Sequence, residues 1–194
     1  GSAEPAMGST ITGIPAAGLT GTIPSGVTFP AGHCLQVVED RETAIRNTSS
    51  VSLVAIDANF VVSLTTKQAN SKILVQGQIT FGGSDIGLRW GFHMYRKIAS
   101  GSYSAVSYQG DAAGSRERGI TMGVAAGISS NTSGFGFSFL DAPAQAAGTL
   151  VYYQPYWMCE HASYTIYLNK HHSDGDSATN MRAASSIIIS EVAQ

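Results

Sequence analysis

Charge is scarce in this sequence. Asp, Glu, Lys and Arg make up only 12% of its 194 residues, and 11 basic against 13 acidic side chains leave a formal net charge of −2. The Lys and Arg are scattered, so there is no basic stripe to neutralise successive phosphates, and nucleic acid is not expected as a partner. Long apolar runs are missing too. Without a stretch approaching about 20 apolar residues, or a basic segment leading into an apolar one at the start, neither membrane insertion nor a secretion signal is expected.

Cysteine is limited to Cys34 and Cys159, which allow one bridge. The sequence leaves open whether they meet or remain two buried free thiols. No G-x-S-x-G elbow is present, and His33 and Cys34, adjacent along a strand, point to opposite faces and form no dyad. The few acidic residues fall largely at turns, where Asp bends the backbone, and no carboxylate pair suited to glycosidic cleavage stands out. The expectation is that the chain is not an enzyme and uses no cofactor.

What the sequence does hold is apolar and turn-forming: 43% of residues are hydrophobic and 22 are Gly. That suffices for one domain with a real core, built of strands and turns. Residues 1–7, Gly1-Ser2-Ala3-Glu4-Pro5-Ala6-Met7, read as a protease scar and vector linker before a start-like Met.

Residues 8–32 contain three imperfect units: Ile11-Thr12-Gly13-Ile14-Pro15-Ala16-Ala17-Gly18, Leu19-Thr20-Gly21-Thr22-Ile23-Pro24-Ser25-Gly26 and Val27-Thr28-Phe29-Pro30-Ala31-Gly32. Each carries too few apolar side chains to bury itself, and its proline blocks helix and removes a ladder donor, so the segment stays extended. Such a stalk finds partners most simply in identical copies. Ile14, Leu19, Ile23, Val27 and Phe29 would then pack around a shared axis in a homo-oligomer; the alternative is a flexible linker.

Residues 33–194 switch to strand periodicity. Ile73, Val75, Ile79 and Phe81 alternate with Lys72, Gln76, Gln78 and Thr80. Leu88, Trp90, Phe92, Met94 and Ile98 alternate with Arg89, His93, Tyr95 and Lys97, and Tyr164, Ile166 and Leu168 with Ser163, Thr165 and Asn169. Further strands are expected at 35–39, 51–56, 60–65, 104–108, 120–126, 135–140, 149–158 and 185–192, with helix conceivable only at 67–71 and 142–147. Turn clusters such as Gly82-Gly83-Ser84-Asp85 and Ser173-Asp174-Gly175-Asp176 separate them. The fold predicted is all-β: an antiparallel β-sandwich of jelly-roll type behind a short extended stalk.

Leu19-Thr20-Gly21-Thr22-Ile23-Pro24 followed by Pro30-Ala31-Gly32-His33-Cys34-Leu35-Gln36-Val37-Val38 resembles the stalk-to-head junctions of bacteriophage tail-fibre proteins. The resemblance continues through Ser71-Lys72-Ile73-Leu74-Val75, Ser138-Phe139-Leu140-Asp141-Ala142-Pro143 and Tyr167-Leu168-Asn169-Lys170, and closes with Ala184-Ser185-Ser186-Ile187-Ile188-Ile189-Ser190-Glu191-Val192. These fragments look like the end modules of tail fibres and related virion proteins, particularly of marine phages. The resemblance implies a trimeric β-sandwich head displayed on a virion, outward-facing and touching a host-surface glycan or protein. It supplies no catalytic or binding residues.

Candidate sites come from residue type. Tyr153, Tyr156 and Trp157 lie in the densest aromatic segment, suited to stacking on a sugar ring, with core packing as the alternative. Arg116 and Arg118, in a polar stretch between strands, suit an acidic glycan, with a solvated loop as the alternative. His171, His172, Asp174 and Asp176 have the donor types for a metal but lack EF-hand spacing, and a polar turn is the alternative. The readings that compete with a receptor-binding head are a purely structural virion module and a carbohydrate-active enzyme on a β-sandwich.

Overall fold

The computed structural model describes residues 29–85, 87–124, 132–178 and 180–194. Among them there is no helix, and the strands are β1 (Cys34–Glu42), β2 (Arg46–Thr48), β3 (Val54–Ala55), β4 (Val62–Thr65), β5 (Lys72–Gly83), β6 (Arg89–Ile98), β7 (Ser104–Ala105), β8 (Thr121–Val124), β9 (Thr132–Asp141), β10 (Leu150–Cys159), β11 (Ile166–Leu168) and β12 (Ser185–Val192). They form two antiparallel sheets. In the first, the order is β1-β12-β5-β11-β2 with β9 on the other side of β5; in the second it is β3-β10-β6-β7, with β4 also on β10 and β8 also on β6.

Alternation places the core. Ile73, Val75, Ile79 and Phe81 of β5 and Ile187 and Ile189 of β12 face Trp90, Phe92 and Met94 of β6 and Val151, Tyr153 and Trp157 of β10, all buried. The Phe81 ring centroid lies 4.2 Å from that of Trp90, and Phe92 lies 5.2 Å from Phe137 of β9, so aromatic contacts bridge the sheets. Each such side chain contributes about 1.5–3 kcal/mol through removal from water. The antiparallel sandwich predicted from periodicity is the architecture observed.

Two of three departures from simple alternation share one physical cause. Thr80, His93 and Asn169, expected on wet faces, are buried. Thr80 and Asn169 sit where β5 changes partner, since β12 pairs up to Gln78 and β11 begins at Phe81. The gap is filled by polar groups: Ser185 Oγ accepts from the Thr80 amide at 3.1 Å and donates to Asn169 Oδ1 at 2.7 Å, and the Asn169 amide returns to the Thr80 carbonyl at 3.0 Å. Asn169 Nδ2 donates to the carbonyls of Glu42 and Ala44, so no buried polar atom of this plug is left unpaired.

Pro155 in the middle of β10 follows the same logic. Its carbonyl accepts from the Ile56 amide at 3.0 Å, which shows that its main chain faces the β3/β4 side. There the partner changes from β4, ending at Tyr153, to β3, beginning at Tyr156. The missing N–H therefore falls in the break between two short partner strands.

The helix candidates at 67–71 and 142–147 are irregular turns. Buried Glu191 holds the first: its carboxylate accepts from the amides of Lys67 and Gln68, from Ser71 Oγ at 2.7 Å and from Gln36 Nε2. β2 escaped the sequence reading because Arg-Asn-Thr has no apolar residue to show a period; it is a strand because it pairs with β11.

Cys34 is exposed and Cys159 buried, and both are free thiols. Of the stalk residues, Ile14, Leu19, Ile23 and Val27 lie outside the described residues, as do residues 1–7. Phe29 stacks on His33 of its own chain at 4.5 Å, and the chain is joined to the end of β12 where the Gly32 amide meets the Ala193 carbonyl.

Candidate functional site

The outer face of the second sheet is where unused chemistry collects. Register puts Met158 opposite Gly91, Tyr156 opposite His93, Gln154 opposite Tyr95 and Tyr152 opposite Lys97. Directly opposed residues on one face touch, and diagonal neighbours are within reach of aromatic and long side chains. Tyr95 and Tyr156 stack at 3.9 Å, and Lys97 Nζ lies 4.1 Å over the Tyr152 ring and 5.0 Å over Tyr103. Burial raises the phenol pKa of Tyr95, Tyr103 and Tyr156, so all are neutral donors near neutral pH.

His93 closes this stripe at its inner end. Its Nδ1 accepts from the Met94 amide at 2.9 Å, which leaves the proton on Nε2 to be donated to Gln109 Oε1 at 3.2 Å. Burial lowers its pKa, and the nearby Arg118 charge acts in the same direction.

Beyond His93 the face opens into a cleft of about 480 Å³. Gly91 and Met158 lie on the sheet beneath it; Leu53, Thr121 and Met122 add walls; Arg116, Glu117 and Arg118 line it from the loop between β7 and β8. The loop is pinched shut at its base by the Gly110 amide on the Gly119 carbonyl at 3.1 Å and pinned by the Ile120 amide on the Phe92 carbonyl at 2.9 Å. A Cβ on Gly119 would stand 2.8 Å from the Phe92 carbonyl oxygen, so glycine permits this close approach. Arg118 Nε donates to the Gly110 carbonyl at 2.6 Å. Arg89 pairs with Glu160 at 3.3 Å on the rim, whereas the Arg116 side chain has no hydrogen bond or ion pair among the described residues.

No protein-family model matches the chain, and no curated protein matches it. Among solved structures, the chain is similar to one in infectious bursal disease virus Gx strain at 15% identity and TM-score 0.42, covering 93% of this chain and 42% of that one. The Gt strain gives 13% identity and TM-score 0.41, over 93% of this chain and 43% of that one. A chain of the VP2 subviral particle of the same virus gives 12% and 0.39, over 82% and 38%. The chain thus spans less than half the length of each.

The predicted site residues separate into groups. Arg116 and Arg118 come together at the cleft, and Tyr156 lies on the same face. Tyr153 and Trp157, expected as ligand-binding rings, are core: both are at most 1% exposed, because odd positions of β10 point inward. The Tyr153 hydroxyl instead donates to Asp141 at 2.7 Å.

His171, His172, Asp174 and Asp176 do not converge, and among the described residues no three His, Cys, Asp or Glu are grouped to hold a metal. Asp174 is engaged by Arg182 at 2.9 Å and Lys170 at 3.8 Å, which holds its carboxyl below the usual range. His171 is buried with Nδ1 accepting from Ser173 and the Asp174 amide, His172 meets the Tyr167 hydroxyl, and Asp176 is exposed.

Sequence reading missed Gly91, Tyr95, Tyr103, Tyr152 and Met158 as parts of one surface. Alternation already turned Tyr95 outward; the register that sets it diagonal to Tyr156 joins residues about 60 positions apart in the chain.

Proposed function

We propose that the chain is a virion-associated head module of a fibre or spike, trimeric through its stalk, that recognises a glycan or protein on a host surface and performs no catalysis. The observation that carries this reading is the cleft on the outer face of the second sheet, where the Arg116 side chain has no partner among the described residues and stands above an apolar floor. Recognition sites collect on loops held by a rigid scaffold, and the loop bearing Arg116 is fixed at both ends to β6 and to itself. The repeated stalk units, the sandwich behind them and the resemblance to tail-fibre junctions support the assembled, displayed part of the reading.

Light scattering on the size-fractionated protein tests assembly first. A mass near three times the 20.2 kDa of one chain is expected, falling to a monomer when residues 9–32 are deleted. A monomer for the full chain at micromolar concentration refutes the trimer.

A further inference from the structure

The cleft has a definite charge and shape. Its residues include Arg89, Arg116 and Arg118 against Glu117 and Glu160, and three cations less two anions leave +1 in a chain whose overall charge is −2. Arg89 and Glu160 cancel in their ion pair. What remains is Glu117 and two arginines, a net +1: Arg116, whose side chain is unpaired among the described residues, and Arg118, which commits Nε to the Gly110 carbonyl and has no other guanidinium hydrogen bond among them. A guanidinium presents a planar fork that fits a carboxylate in two parallel hydrogen bonds.

Beneath them the floor is apolar and kept low by Gly91, where a Cβ would lie 2.9 Å from Met158 Cγ. The same face runs on from Gly91 and Met158 to the Tyr95–Tyr156 stack, whose hydroxyls have no partner among the described residues. From Gly91 to Lys97 this track is about 20 Å long, at ~3.4 Å per strand residue. An occupant needs a carboxylate at one end, a flat face of CH groups over Met158, and a hydroxyl-rich extension along the tyrosines.

We infer that the cleft binds a carboxylated sugar, Arg116 and Arg118 taking its carboxylate, Gly91 and Met158 its apolar ring face, and Tyr95 and Tyr156 the sugars that follow. This rests on the receptor-recognition reading above and names the ligand class. Uronic acids and nonulosonic acids such as sialic acid share this chemistry, and differ in whether the carboxylate sits on an otherwise ordinary pyranose or beside a glycerol-like side chain.

The test is a glycan array carrying uronic-acid and sialic-acid oligosaccharides, each beside its carboxyl-reduced form, probed with the intact protein and with Arg116→Ala and Tyr156→Phe variants. Binding to one acidic series is expected, weakened about 10- to 100-fold both by carboxyl reduction and by Arg116→Ala, in line with hydrogen bonds to a charged group. The series that binds identifies the source. Tyr156→Phe, which keeps the stack and removes one hydroxyl, should weaken longer oligosaccharides and leave the acidic monosaccharide unchanged. Equal binding of reduced and acidic forms, or binding unchanged by Arg116→Ala, overturns the inference while leaving glycan recognition standing. Binding to a protein receptor or an acidic peptide with no sugar bound overturns it while leaving receptor recognition standing. Silence on the array together with no adhesion to any cell surface overturns both.

Discussion

The hydroxyl of Tyr153 and the carboxylate of Asp141 meet at 2.7 Å in the interior, joining β10 of one sheet to β9 of the other. Arg96 of β6 reaches the same carboxylate oxygen at 2.6 Å, with Asp141 almost wholly buried. Aromatic packing sets the spacing of the sandwich; this triad fixes how one sheet sits along the other. Tyr153→Phe, which removes one neutral donor, should cost about 1 kcal/mol in urea unfolding. Asp141→Ala, which strands a half-buried guanidinium and a buried phenol, should cost about 3–5 kcal/mol. Equal losses for the two would show that the Arg96 pair adds nothing.

Gly77 faces inward directly opposite Phe137, whose ring lies over it. A Cβ there would stand 2.6 Å from that ring and even nearer the Ser186 main chain. Gly77→Ala should therefore destabilise by at least the ~1–3 kcal/mol typical of overpacking. A melting temperature unchanged by this substitution would mean that β9 moves freely on β5.

Glu191 gathers donors from three places: the residue 67–68 turn, Ser71 and Gln36. Glu191→Ala orphans them and should cost about 2–4 kcal/mol, with amide exchange accelerated first at Lys67 and Gln68. Exchange rates at those amides equal to wild type would refute the anchoring role.

His93 gives stability a pH dependence of known sign. Its folded-state pKa is depressed below the ordinary 6.5, chiefly by burial, so the unfolded chain binds the proton first as pH falls. Its contribution is complete above about 6.5 and is lost as pH falls from there toward the folded pKa. Asp57, lowered from 3.8 by the Asn59 amide and by Arg46, adds a separate loss at more acidic pH. Unfolding free energy should decline between pH 7 and 5, and His93→Gln should flatten that interval. A wild-type profile flat across the interval contradicts the assignment.

How far the sequence spoke depended on how local each feature was. The strands β5, β6 and β11 were legible because period two with one apolar face is written within ten residues, and the two-sheet sandwich followed from the number of strands and their punctuation. Thr80 and Asn169 were misplaced because their burial comes from a change of partner strand, which neighbouring residues do not encode. Arg116 and Arg118 were singled out from residue type alone. The floor they face was hidden, since Gly91 and Met158 lie 67 positions apart and meet only through strand register. Tyr153 and Trp157 were drawn toward the surface by aromatic density, although alternation within β10 put them on the side opposite Tyr156.

The pinch between Gly110 and Gly119 separates two kinds of change. Residues 111–117 hang outside a closed hydrogen-bonded neck, so substitutions and even added length there leave in place the backbone bonds that close the loop on itself and tie it to β6. The surface above the second sheet can therefore vary in sequence while the strands beneath keep their hydrogen bonds, as a tool handle accepts different bits.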